Sequence, residues 1–534
     1  MIKKTMCQLF ALLVLFATSC SKNSEETKIT QSVEEEEKQN PTSDQETFNY
    51  ASSGTYNLNI VYFVPKDSKA RIDSHRRLSE ILLNGQEFYR NEMIRNGFGD
   101  KTFHLLVDDE KNRVKIDFIE GHSSAATYPY EGGGVKMIEE IEAYYDKNPS
   151  KRNSDHYLVL SPVENPQEAD APYYGLGKWC FATDYDDMDI KYLGGNSTLS
   201  NLATTYIGGL LHELGHGLNL PHNKEMMSQT NSSDFGTALM GSGNYTYGST
   251  PTFLTAASCA ILENNQVFSP NNNDYYTGAN GKVDEITATF DNGNINLTGT
   301  LNTDIPVNSI SIYNDPSDDE ADYDAVSWVA KVENDQFEIA MPVAELYKKQ
   351  NIDYVLRLLL NHTNGDISRL SYQYEFKNGV PLFGFGKRDY IDRTDWSIAS
   401  FSSQEDSGGE GDTGRASDIL DGNLETYWHS CWQGSCTNNE YPHSLIVDAG
   451  ASTTIDGFTF VQRQNLSRSV KNIEIRVSND NETWQSLGNF NLANINTAQH
   501  IQLDNSISFR YFELVSKSAH DGQQFASLAE VLCF

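Results

Sequence analysis

Apolar and polar positions divide this chain into stretches of different period. From about 56 to 270 strand patterns alternate with helical ones. Residues 57–65 (NLNIVYFVP) read as a strand, rich in Val, Ile, Tyr and Phe. Leu78, Ile81, Leu82, Phe88 and Met93 then keep helical spacing over 71–97, which Asn96-Gly97 closes. The pattern predicts strands near 102–107 and 113–119, a helix near 135–147, and strands at 157–160 and 177–183. A second long helix covers 200–218, capped by Ser200 and packed through Leu202, Tyr206, Leu210 and Leu214. Residues 252–267 read as the helix that closes this domain. From about 281 to 390 the period becomes two, with turns at Asp291-Asn292-Gly293 and Asn364-Gly365. That predicts an antiparallel β-sandwich over 281–395, immunoglobulin-like in pattern, which carries no chemistry and reads as a rigid spacer. Residues 402–414 (SSQEDSGGEGDTG) read as a linker.

The second long helix ends in His212-Glu213-Leu214-Gly215-His216-Gly217-Leu218-Asn219-Leu220-Pro221-His222. On a helix, His212 and His216 share one face, with Cβ atoms about 5–6 Å apart. Two such imidazoles can grip one Zn²⁺ while Glu213 serves as general base. His222 reaches the same ion only if the chain turns back after Leu218. Asn219 tolerates the left-handed conformation that ends a helix, and Pro221 forbids further helix.

This stretch resembles the zinc signature of the metzincin metallopeptidases, H-E-x-x-H-x-x-G-x-x-H, with Asn219 in place of the usual Gly. The resemblance implies an α+β catalytic domain over 56–275 that hydrolyses peptide bonds, with His212, His216 and His222 as zinc ligands and Glu213 as base. It implies an edge strand that pairs with an extended peptide, placed here at 177–183. It also implies a methionine turn beneath the metal, for which Thr237-Ala238-Leu239-Met240-Gly241-Ser242-Gly243 supplies Met240. In some metzincins a tyrosine after that turn stabilises the oxyanion; Tyr245 stands nearest to that role, at a longer spacing than usual. Asp184, Asp186, Asp187 and Asp189 lack the spacing of a known calcium loop, and a solvated loop is the simpler reading.

A chain of 534 residues is too long for one core. Apolar content of 38% and aromatic content of 11% suffice for folded domains. The formal charge of -34 argues against nucleic-acid partners and suits an extracellular, soluble surface. Residues 1–20, with Lys3 and Lys4, an apolar run over 9–17 and Ala17-Thr18-Ser19-Cys20, resemble a bacterial lipoprotein signal. The resemblance implies lipidation at Cys20 and an acyl anchor as the membrane tie; a plain secretory signal is the alternative. Residues 21–55 are acidic and read as a disordered tether. Ser21-Lys22-Asn23-Ser24-Glu25-Glu26 resembles the export stretch of some Bacteroidota lipoproteins, implying the outer face of a Gram-negative cell; a periplasmic-facing or secreted protein is the alternative. Cys431 and Cys436 bracket a short loop and pair first; a Cys180–Cys259 bond stays open, which leaves Cys533 odd.

The last segment carries 416–430 (ASDILDGNLETYWHS), 442–448 (PHSLIVD), Val477-Ser478-Asn479-Asp480 and Ala529-Glu530-Val531. In this order the pieces resemble the coagulation factor V/VIII type C (discoidin-like) domain over 402–534. The resemblance implies an eight-stranded, galactose-binding-like β jelly roll. It further implies a structural Ca²⁺ held by Asp421, Asn423, Thr426 and Glu530, and glycan contacts from Arg463, His429 and Trp432.

The chain thus reads as multidomain: an α+β metzincin-like domain, an all-β sandwich and a C-terminal jelly roll. The expected function is a monomeric, surface-anchored zinc endopeptidase acting on an extracellular protein or glycoprotein, with a C-terminal module that targets a glycan or glycoprotein. The alternatives are a glycan-binding adhesin that keeps an inactive metallopeptidase fold, and a zinc hydrolase of another bond such as an amide of the cell wall.

Overall fold

The computed structural model describes residues 47–165, 171–230, 232–317, 322–386, 388–434, 436 and 439–534. The signal segment, Cys20 and residues 21–46 of the acidic tether lie outside the described residues; residues 47–55, also expected to be tether, instead dock on the first domain, the Asn49 N–H donating to Asp108 at 2.7 Å and Ala51 bridging to Val107.

Strand Asn59–Val64 is apolar along most of its length because both of its faces are covered. It lies inside a five-stranded sheet, in the order Asp117–Glu120, Asn59–Val64, Tyr157–Pro162, Trp179–Asp184 and Gly175–Leu176. The first four strands run parallel, and the last is antiparallel. Ile60, Tyr62, Leu158, Leu160, Cys180 and Ala182 face helices Ser74–Arg95 and Thr198–Gly217. Val61, Phe63, Val159 and Phe181 pack the other way, against Met137, Ile141 and Tyr145 of helix Gly133–Lys147.

Several local expectations are corrected. Segment 102–107 forms no sheet strand beyond the pair Val107–Asp108 and Arg113–Val114. The backbone of His104 bonds instead to Leu58 and Val267, which satisfies it without a neighbouring strand. The histidine helix begins one turn early: Ser197, not Ser200, is its cap, its hydroxyl accepting the Ser200 N–H at 3.1 Å. The closing helix is only Ala256–Glu263. The acidic run after the sheet is solvated only at Asp186 and Asp187, which are exposed. Asp184 is buried, paired with Arg77 at 2.8 Å and bonded by the Tyr62 hydroxyl at 2.8 Å, and Asp189 takes Arg76 at 2.8 Å. The strand placed at the sheet edge is covered there only at its start: Gly175–Leu176 pair with Trp179 and Cys180 and form the rim beside them, while the rest of Trp179–Asp184 pairs on its other side with Tyr157–Pro162.

The second domain is a sandwich of a three-stranded and a five-stranded antiparallel sheet. It is not a spacer. Tyr313, Ala325 and Leu359 belong to the same apolar cluster as the first domain's core, and Ser311 Oγ donates to the Ala257 carbonyl at 3.0 Å.

The last domain is a jelly roll of a six-stranded sheet and a two-stranded ribbon among the described residues. It starts before 402. Strand Ser397–Phe401 pairs with His443–Val461, and the Ile391 N–H reaches the Cys533 carbonyl at 2.8 Å. Segment 402–414 is therefore no linker: its glycines and serines wind around the buried Glu405 carboxylate, which accepts the N–H groups of Ser407, Trp432 and Gln433. Cys431 and Cys436 form a disulfide, whereas Cys180 and Cys259 are buried apart, their thiols donating to the Tyr157 and Glu92 carbonyls. No helix among the described residues is long and apolar enough to cross a membrane.

The Arg77–Asp184 pair yields a stability prediction. Arg77→Met leaves Asp184 buried without its cation, which costs about 3–5 kcal/mol. Arg76→Met, at a wetter position, costs under about 1 kcal/mol. Urea unfolding of the two variants checks this; equal losses would refute it.

Candidate metal centre

The histidine helix ends in a Schellman turn. Asn219 takes φ 73°, its N–H reaches the His216 carbonyl at 2.9 Å, and the Leu220 N–H reaches the Gly215 carbonyl at 2.9 Å. The reversal carries His222 back beside the helix. One ligand nitrogen from each of His212, His216 and His222 lies within 4.8 Å of the others, a set able to hold a metal ion. The His216 and His222 Nε2 atoms are 3.0 Å apart.

The second ring nitrogens explain that convergence. His212 Nδ1 lies 2.7 Å from the Leu239 carbonyl and His216 Nδ1 lies 2.9 Å from the Leu220 carbonyl. A carbonyl only accepts, so each Nδ1 carries the proton and each Nε2 keeps its lone pair for the shared centre. Burial lowers the pKa of both rings, and for His212 the neighbouring imidazoles add to it. Neutral rings are the ones that ligate.

Met240 is buried beneath this turn. A Cβ on Gly215 would lie 2.4 Å from its sulfur, so the thioether sits directly on the helix between His212 and His216. The Met240 carbonyl accepts the N–H of Asn223, next to His222, at 3.2 Å. Glu213 lies against the sheet rim and accepts the Gly175 N–H; burial pushes its carboxyl up to about 8, that hydrogen bond pulling it down. The rim strand approaches closely, since a Cβ on Gly175 would lie 2.3 Å from the His216 Cβ. Tyr245 stands on a short 3-10 turn after Met240, 62% exposed.

Sequence reasoning missed two tyrosines here. Tyr173 and Tyr130 have their phenols raised by burial and, next, by the Glu213 charge. Adjacent aromatics ahead of a two-residue strand leave no periodic signal.

In the last domain, His429, Trp432 and Arg463 come together around Glu410. Trp432 Nε1 and Arg463 donate to its carboxylate at 2.9 and 3.0 Å, the Tyr427 hydroxyl donates at 2.5 Å, and His429 Nε2 stands 3.8 Å away. Arg463 also covers the Tyr427 ring at 4.0 Å, and Trp432 is 43% exposed. Glu410, assigned to a linker by composition, is thus the hub of this patch.

The proposed calcium oxygens are near one another but otherwise engaged. The Thr426 hydroxyl donates to Asp421 at 2.7 Å, and the Asn423 N–H to the same carboxylate at 2.8 Å. Glu530 accepts the Gly422 N–H at 2.6 Å and Arg393 at 2.5 Å. Arg393 supplies the positive charge that a cation would otherwise bring, so as arranged these residues do not fit Ca²⁺.

Comparison with solved structures decides the kinship. Wild-type OgpA from Akkermansia muciniphila superposes with a TM-score of 0.59 at 35% identity, over 64% of this chain and 98% of that chain. This chain belongs to the OgpA family. A catalytically inactive OgpA in complex with an O-glycopeptide (glycodrosocin) substrate gives a TM-score of 0.59 at 34% identity, with the same coverage. Beyond the length of OgpA, the F5/8 type C domain family matches residues 398–531. A sialidase from Micromonospora viridifaciens is 31% identical over 142 residues, 26% of this chain, and the chain spans only 21% of that protein. This OgpA relative therefore carries an added F5/8 type C domain.

The helix end generates a second prediction. Asn219→Ala forces a Cβ-bearing residue without a local hydrogen-bonding side chain into the left-handed region, costing about 1–2 kcal/mol. Asn219→Gly costs nothing. Denaturant unfolding of the metal-free variants measures both, and equal stability would show that the bend does not rest on residue 219.

Proposed function

We propose that this chain is a zinc-dependent endopeptidase that cleaves O-glycosylated peptides, steered to glycan-bearing surfaces by its last domain. The observation that carries the reading is the convergence of three imidazoles beside Glu213. The relative OgpA, held in complex with an O-glycopeptide, supports the substrate class. The N-terminal signature supports anchorage through Cys20 at the outer face of a Gram-negative cell.

His212, His216 and His222 would hold the zinc. Bound there, it supplies Lewis acidity, which makes water a stronger acid and a peptide carbonyl a better electrophile. Glu213 takes the proton of the attacking water and passes it to the departing amine, so one water is consumed per bond cut. The Gly175 N–H fixes the Glu213 carboxylate at the sheet rim, where an extended peptide can add through its main chain. In the last domain, exposed Trp432 offers a sugar an apolar face and Arg463 a donor, whereas His429, expected to share the contact, is buried.

Glu213→Gln should leave about one zinc per chain and abolish cleavage of an O-glycosylated peptide. Retained turnover would sink the peptidase reading. Arg463→Ala should weaken retention on a galactose or N-acetylgalactosamine matrix at least tenfold while leaving cleavage of a short soluble glycopeptide within about twofold. Unchanged retention would remove that patch from glycan binding.

A further inference from the structure

The third ligand, His222, is the one outside the helix, on a loop after Pro221. Its ring is covered by the sandwich. Tyr323 lies face to face with it, ring centroids 3.9 Å apart and planes inclined by 24°. We propose that Tyr323 is a positioning residue of the metal centre, supplied by the second domain, which holds the His222 imidazole where it can share one ion with His212 and His216. The inference rests on the zinc reading given above.

The surrounding contacts hold Tyr323 from both sides. Asp322 pairs with Arg357, which also lies 3.4 Å from Asp315. Asp324 takes Lys348 and Lys224, each at 2.6 Å. Lys224 is two residues past His222, and its N–H donates to the Ala325 carbonyl at 2.7 Å, within a parallel bridge to Val326. The loop carrying the ligand and the loop carrying the tyrosine are therefore joined by a main-chain hydrogen bond and an ion pair. A stacked ring restricts the imidazole's rotation before any ion arrives, so less side-chain freedom is lost on ligation. The face of the ring does this, and the hydroxyl is not required.

The test uses the chain from residue 47 to 534. Zinc affinity is measured by competition with a chromophoric chelator, together with the visible spectrum of the Co²⁺ form and kcat and KM on an O-glycosylated peptide. Tyr323→Leu should bind zinc about 10–100-fold more weakly, shift the Co²⁺ bands, and lower kcat more than KM rises. Tyr323→Phe should restore all three. Parent affinity and parent Co²⁺ bands in Tyr323→Leu would overturn the proposal while the zinc reading stood. If Tyr323→Leu does not fold, Asp324→Asn, which loosens the clamp but keeps the ring, carries the test, and parent affinity there overturns the proposal. Parent protein that takes up no zinc, like a His212→Ala control, would overturn the peptidase reading itself.

Discussion

The chemistry of this chain hangs on the reversal at Asn219, which turns two helical histidines and one loop histidine into a single donor set. A helix end exposes carbonyls that must find donors, and here all of the last ones do. Leu214 and Gly215 accept from Leu218, Gly215 also from Leu220, and His216 from Asn219. The Gly217 carbonyl accepts from His156 Nδ1 at 2.7 Å, and that of Leu218 from Asn265 at 3.2 Å. An unsatisfied buried carbonyl costs about 1–3 kcal/mol. Five met at once leave the chain few alternative paths out of the helix, and the path taken delivers His222 to the other two rings.

The same site requires close packing from two sides. The thioether of Met240 lies where a side chain on residue 215 would be, and residue 175 passes where a side chain would strike His216. Glycine at both positions lets the methionine turn and the sheet rim press on the helix. In turn the Leu239 carbonyl, next to Met240, fixes the tautomer of His212, and the Gly175 N–H fixes Glu213. Rigid backbone groups, rather than other flexible side chains, thus orient His212 and Glu213, which is how a site keeps its geometry without spending side-chain entropy.

What was legible in the sequence was what is local. His212, Glu213, His216, Asn219 and His222 lie within eleven residues, and helical spacing with one left-handed residue is enough to bring them together. The doubly buried strand 59–64 showed itself as an uninterrupted apolar run. The sheet rim did not, because a two-residue strand has no period to detect. Glu410 and Glu405 sat among Gly, Ser and Asp, the composition of a linker, yet their partners Arg463 and Trp432 lie 53 and 22 residues away. Tyr323 is 101 positions from His222, in an acidic segment between two strand-like runs. Nothing in local pattern connects them.

The two halves of the chain are joined by different means, and this bears on how they act together. The sandwich shares an apolar core with the first domain and stacks Tyr323 on His222, so the pair forms one unit. The jelly roll meets the sandwich through polar contacts: Thr497 to the Ser371 carbonyl, and the His500 backbone and ring to the Gly384 and Gly386 carbonyls. Such a junction can add a binding surface without altering the cleft. On the function proposed above, a glycan held near Trp432 would raise the local concentration of glycosylated chain at the first domain, and the gain would depend on the reach between the two sites rather than on any new contact at the scissile bond. On the same proposal, selectivity at the bond stays with the rim and Glu213, whereas the choice of surface passes to the added domain.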